Sequence, residues 1–217
     1  MRDTYHEGLD AISAALVEMT HQVGSAMSRA TTALLDADLA LAESVISNDD
    51  AVDARYRDVE ARAFDLLARQ QPVASDLRII VTSLRMVADL ERMGDNAVHI
   101  AKIARRRYPG SAVPASLRAT VLHMGNAAEE IVAKAGSVIA RRDLEMAAQL
   151  EKDDDIMDEL HRQLFRAILS DSWAEGVEPA IDITLAGRYY ERFADHAVSV
   201  ARRVVFLVTG ERHSPLA

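Results

Sequence analysis

The sequence contains no cysteine, only five prolines, nine glycines and one tryptophan, and aromatic residues make up 5% of it. Without cysteine there is neither a disulfide framework nor a thiolate metal site, which fits a reducing compartment. The amino-terminal run Met1-Arg2-Asp3-Thr4-Tyr5-His6-Glu7 lacks the apolar core of a secretion signal. No stretch approaches the ~20 apolar residues needed to span a bilayer, and even Val198–Val208 is interrupted by Arg202 and Arg203. A cytoplasmic protein with no membrane insertion is the expectation. Positive charge is also in short supply. Thirty-four acidic residues against 25 Lys and Arg give a net charge of −9, which disfavours a nucleic-acid partner and favours cations or basic protein surfaces.

What is present is a helix-forming mixture rich in Ala, Leu, Val, Arg, Asp and Glu, 49% hydrophobic and 27% charged. Leu9, Ile12, Leu16, Met19, Val23 and Met27 recur at three and four, one apolar stripe on a helix that runs to about Leu35. The spacing predicts a short helix over Asp38–Ile46, a long one from Asn48 or Asp49 to Arg69, a turn at Pro72 and a third helix from Ser75 to Arg107. The segment Arg107–Pro114 holds two prolines and a glycine and marks a boundary between units at 1–108 and 114–217. The same order then returns: a helix over Pro114–Arg142, a short one over Asp143–Leu150, another over Asp153–Ser170, a turn at Ser172–Gly176, and a last helix to Thr209. The fold expected is all-α, two tandem three-helix bundles related by internal duplication.

The duplication is visible residue by residue. Glu91–Ala101 (ERMGDNAVHIA) stands 100 positions before Glu191–Ala201 (ERFADHAVSVA), and six of the eleven pairs are identical. At an offset of 105, Asp38-Leu39 matches Asp143-Leu144, and Asp49, Asp50 and Asp53 match Asp154, Asp155 and Asp158.

These repeats place carboxylates in pairs four residues apart, which share a helix face. In an antiparallel hairpin, residues equidistant from the turn lie at one height. Asp53 and Glu91 are both 19 residues from Pro72, and Asp49 and Asp95 are both 23 from it. In the second half Asp158 matches Glu191, and Asp154 matches Asp195, about a shared midpoint in the turn beside Trp173 and Ala174. Four carboxylates at one level repel unless cations or arginines intervene. The set Asp49, Asp53, Glu91, Asp95 and the set Asp154, Asp158, Glu191, Asp195 are therefore candidate metal ligands. Hard divalent or trivalent ions suit oxygen donors, with Mg, Mn, Fe, Zn or Ca all open. His99 continues the first face and would soften it toward Fe or Zn; Ser199 takes that place in the second half. Plainer readings stand beside this one. Asp49 and Asp154 also read as helix N-caps, and Glu91-Arg92 and Glu191-Arg192 as surface ion pairs. No nucleophile–base pair, phosphate-binding glycine loop or dinucleotide fingerprint is present, so an enzyme is not expected.

The run Gln71-Pro72-Val73-Ala74-Ser75-Asp76-Leu77-Arg78, with Glu91-Arg92-Met93-Gly94-Asp95-Asn96-Ala97 and Glu191-Arg192-Phe193-Ala194-Asp195-His196-Ala197, resembles the PhoU family of bacterial phosphate-uptake regulators over essentially the whole chain. The resemblance implies two pseudo-twofold three-helix bundles with metal clusters on the eight carboxylates above. It also implies a negative regulator that links the ATPase subunit of a phosphate ABC transporter to a sensor histidine kinase. A homodimer is expected. The sequence departs from the family's frequent Gly-Asp-His at Asn96 and at Ala194. Two other readings compete. A ferritin-like di-metal oxidase needs Glu-x-x-His on two helices, and only Glu18–His21 fits, in a position expected to lie away from the acidic hairpins. A metal-free helical scaffold would use the acidic residues for capping and solubility alone.

Overall fold

A computed structural model describes residues 2–70 and 72–211; Gln71 of the turn motif, Met1 and residues 212–217 lie outside the described residues. Six long helices account for almost all of it: α1 (Arg2–Asp36), α2 (Leu39–Gln70), α3 (Ala74–Arg107), α4 (Arg118–Arg141), α5 (Leu144–Ile168) and α6 (Val177–Thr209). A single 3-10 turn, Ala115–Leu117, precedes α4.

The short helices expected over Asp38–Ile46 and Asp143–Leu150 are not separate. Each is the opening of α2 or α5, which run unbroken through Asn48-Asp49 and through Asp153-Asp154. Neither junction holds a proline or glycine, and a polar residue on the solvent side of a helix does not end it. This corrects the capping reading of Asp49 and Asp154, which lie well inside their helices. The caps are the repeated Asp38 and Asp143, whose carboxylates accept from the backbone N–H of Leu41 and Met146, each at 2.9 Å. The residue before each cap, Ala37 or Arg142, is left-handed, with φ of 51° and 53°. The turn that opens the second helix is thus duplicated along with the helices.

In each half the first and third helices pack together, with the second lying against both. The two halves then join through α1 on α4 and α3 on α6, so one core runs across both. Position sums give the register. Along α1 and α4, Thr20 meets Gly136, Gly24 meets Val132 and Thr31 meets Gly125, each pair summing to 156, as antiparallel helices require. Thr20 and Gly125 are 105 apart, as are Thr31 and Gly136, so the two close contacts are images of one another about a pseudo-twofold axis. The missing side chains of Gly125 and Gly136 admit the threonines; a Cβ on Gly125 would lie 2.5 Å from Thr31 Cγ2. Thr31 bonds Met27 O at 2.9 Å and the buried Tyr190 hydroxyl at 2.8 Å, tying α1 to α6.

Along α3 and α6 the pairs again sum to nearly one value: His99 stacks on Tyr189 with centroids 4.7 Å apart, and Arg106 reaches Asp182. Two buried carboxylates fasten this seam. Asp182 of α6 accepts from Arg106 at 2.5 Å and also from Arg107. Asp89 of α3 accepts from Arg203 at 2.5 Å and lies 3.2 Å from His196 Nδ1. Burial pushes the Asp89 carboxyl up, but its hydrogen bonds to His196 and Arg203 outweigh that and hold it below the usual range.

Candidate functional site

α2 and α3 run antiparallel about Pro72, and the close approach between them depends on Gly94. A Cβ there would stand 3.3 Å from both Asp49 Oδ1 and Val52 Cγ1. That bare backbone seats Asp49 of α2 against α3 beside Asp95. The carboxylates then crowd one another. Burial raises the Asp49 carboxyl to about 6, reinforced by Asp95 and then Asp53 and opposed weakly by Lys102. Glu91 is raised as well, first by burial and then by Asp95, with Asp53 and Asp49 adding. The height matching expected from the sequence is thus realised in the first half: Asp49 has Asp95 as its strongest charged neighbour, and Glu91 senses all three others.

The second half repeats the arrangement between α5 and α6. Burial raises Asp154 to about 7, with Asp195, Asp158 and Asp155 adding and Arg202 opposing. Asp195 is raised by burial and then by Glu191. The halves differ in how their glutamates are held. Glu191 accepts from Arg188 at 2.5 Å and lies 3.4 Å from His161 Nδ1, whereas no ion pair fixes Glu91 among the described residues. Asp53 leans on Arg57 at 3.3 Å, with the arginine side chain 70% exposed; such a pair contributes at most ~1 kcal/mol.

Among the described residues, no three carboxylate or imidazole side chains stand together closely enough to hold an ion. The donor chemistry nevertheless fits a hard cation: every donor is a carboxylate oxygen, two helices contribute two each, and burial, with neighbouring carboxylates adding, raises Asp49, Glu91, Asp154 and Asp195. Drawing the first set onto one ion would require its side chains to move closer together; Asp53 is half-buried and Asp95 exposed. The second set would also have to draw Glu191 away from Arg188 and His161.

The histidines fall differently from expectation. His99 packs flat on Tyr189, with 12° between the rings, and does not join the first acidic set. His196 turns to Asp89. His161 is the imidazole beside an acidic set, 3.4 Å from Glu191. The signal was available, since His161 lies three residues after Asp158 and shares its face. Its counterpart 105 residues earlier is Tyr56, whose hydroxyl is raised by burial, by Glu60 and by Glu91. Glu18 and His21 do not lie away from the acidic hairpins: with Gln22, Arg29, Asn48 and Asp49 they line a groove of about 300 Å³ between α1 and α2.

An all-α chain with a duplicated helical hairpin and a crowded acidic set in each half defines a class of protein, and comparison with known families names it. The PhoU domain model matches twice, over residues 16–104 and 121–204. The chain belongs to the PhoU family. It is 51% identical over 210 residues to the phosphate-specific transport system accessory protein PhoU homolog 2 of Mycobacterium tuberculosis, covering 97% of this chain and 99% of that one. It is 50% identical to PhoU homolog 1 of Mycobacterium leprae, covering 97% and 95%. Among solved structures, PhoU from Pseudomonas aeruginosa superposes with a TM-score of 0.86 at 31% identity, over 95% of this chain and all of that one. The phosphate transport system regulatory protein PhoU from Streptococcus pneumoniae, at 24% identity and a TM-score of 0.87, shares the fold. No helix among the described residues is long and apolar enough to cross a membrane.

Proposed function

We propose that this chain is a cytoplasmic negative regulator of phosphate uptake and of phosphate-starvation signalling, and not an enzyme. It acts as a helical adaptor between the ATPase subunit of a phosphate ABC transporter and a sensor histidine kinase. Its divalent or trivalent metal ions are held by Asp49, Asp53, Glu91 and Asp95 in the first half and by Asp154, Asp158, Glu191 and Asp195 in the second. What supports the metal reading is the spacing that sets four carboxylates at matching distances from each turn, twice in one chain, together with the raised carboxyls of Asp49, Glu91, Asp154 and Asp195. The regulatory role draws its support from relatives named as accessory proteins of phosphate-specific transport. A bound cation would neutralise the repulsion within each set and stiffen the hairpin across which it is held. What the protein's own residues supply is position: Gly94 lets the helices close up, and Arg188 with His161 orients Glu191.

The test is a pull-down of the full chain from cells grown in high and in low phosphate, comparing wild type with Glu91→Ala/Asp95→Ala, alongside metal analysis of protein purified without chelators. The ATPase and the kinase are expected with wild type. Recovery of neither under any condition would remove the adaptor role; protein free of metal would leave a metal-free scaffold.

A further inference from the structure

The solvent-facing stripes of α3 and α6 correspond at the 100-residue offset. Leu77, Val81 and Arg85 on α3 answer to Val177, Ile181 and Leu185 on α6. Because the two helices are antiparallel, these stripes sit at opposite ends of the molecule. The second is the wider. Trp173, Val177, Ala180, Ile181, Thr184 and Leu185 line an open, mainly apolar groove of about 570 Å³ at the α5–α6 tip. Val177 is 74% and Ile181 52% exposed, on a helix whose opposite face is core. The groove is preformed: the Trp173 indole N–H donates to Gly176 O at 2.9 Å, and Gly176 makes the turn at φ 85°.

Charge separates the two tips. Between Ser170 and Leu185 there are four carboxylates, Asp171, Glu175, Glu178 and Asp182, and no Lys or Arg. Arg106 and Arg107 cross from α3 to pair with Asp182 and Glu178. Asp171 and Glu175 have no ion-pair partner among the described residues. At the first tip Asp65 pairs with Arg69, and Asp76 is followed by Arg78, so that rim is balanced.

We propose that the groove formed by the turn at Trp173–Gly176 and the first turns of α6 docks an amphipathic helix of a partner protein, with aliphatic side chains at helical spacing and lysines or arginines on its flanks. The proposal rests on the adaptor reading above and says where one partner sits. An apolar slot along a helix is the shape that takes the apolar face of another helix. The acidic rim steers basic flanks toward it. The same rim disfavours an anionic bilayer surface, and a second copy of this chain would bring another net charge of −9.

The experiment measures binding of the full chain to two probes, the purified transporter ATPase subunit and the cytosolic portion of the sensor kinase, at about 50 and about 300 mM salt. Wild type is expected to bind at least one. Ile181→Asp should weaken that binding by about 30-fold or more, as loss of a central apolar anchor does. Val81→Asp, the matching change at the other tip, should stay within about threefold of wild type, since it lies outside the groove. Asp171→Asn/Glu175→Gln should weaken binding severalfold at low salt and hardly at high salt, an effect a merely structural role would not produce. Circular dichroism and thermal melts keep loss of fold apart from loss of contact. If Ile181→Asp binds as wild type does, the groove assignment is overturned and the adaptor reading stands; if wild type binds neither probe, the adaptor reading fails and takes this one with it. Two further results overturn the proposal: Ile181→Asp splitting a dimer in light scattering, and wild type floating with anionic phosphatidylglycerol vesicles while Ile181→Asp does not.

Discussion

Replacing Asp154 with asparagine should stabilise the metal-free protein at alkaline pH and much less at acid pH. Burial and three neighbouring aspartates raise this carboxyl from the usual 3.8 to about 7. The folded protein therefore binds the Asp154 proton more tightly than the unfolded chain does. Stability from that proton is fully present below the unfolded value and is lost as pH rises through the folded one. At 1.36 kcal/mol per pH unit the ceiling is ~4 kcal/mol; the side chain is only half-buried, and discounting for solvent leaves about 1–2 kcal/mol. Asparagine keeps the volume and has no charge to suffer. In chelator at about pH 8 the variant should melt roughly 2–8 °C above wild type, taking about 2–4 °C per kcal/mol for a chain of this size. At about pH 5 the advantage should fall below half, because wild type is then protonated when folded. The assay is thermal unfolding by circular dichroism in chelator across that range, then with excess Mg²⁺ or Mn²⁺. Metal should reverse the order, since wild type gains stability by binding and the variant gains less. A variant no more stable than wild type at about pH 8, or equally more stable at both pH values, would refute the idea that this carboxylate is crowded by its neighbours.

Other outcomes follow from the same structure. Gly125→Ala should cost about 1–3 kcal/mol by overpacking, because the added methyl meets Thr31, itself pinned to Tyr190; urea unfolding checks it, and a neutral result would mean that α1 and α4 are not in close contact. Asp182→Ala should cost roughly 2–3 kcal/mol in the same assay, below the ~3–5 typical of a broken buried pair, because Arg106 is 57% exposed and can rehydrate. Asp38→Ala and Asp143→Ala should each cost about 1 kcal/mol as lost helix caps and should add in the double variant; equilibrium unfolding reads both. In calorimetry with Mn²⁺, Asp49→Asn should remove more metal binding than Glu191→Gln, because Glu191 is already engaged by Arg188 and His161. Equal losses would show that the two halves are equivalent.

The helices themselves were readable because their cause is local. Apolar residues at three and four from Leu9 to Met27 specify one buried face, and every one of Leu9, Ile12, Leu16, Met19, Val23 and Met27 is buried. The level of the acidic pairs was readable too, since a hairpin of regular helices fixes height by counting from its turn. The continuity of α2 and α5 was not. Asn48-Asp49 and Asp153-Asp154 look like caps in isolation, and packing of Val45 and Val52, or of Leu150 and Met157, on either side carries the helix through them.

The amino-acid sequence alone determined the all-helical class, the duplication and which carboxylates share a level, because each follows from period, offset or distance to a turn. Tertiary structure decided how the halves meet. The α1–α4 register set by Gly125 and Gly136, and the α3–α6 seam closed on Asp89 and Asp182, join residues about 75 to 115 positions apart. No repeat along the chain encodes those partners; they are chosen by shape and by the need of a buried carboxylate for a cation. The same packing tied Glu191 to Arg188 and His161 and left Glu91 free of any ion pair among the described residues, so two acidic sets nearly identical in sequence differ in how their glutamates are held.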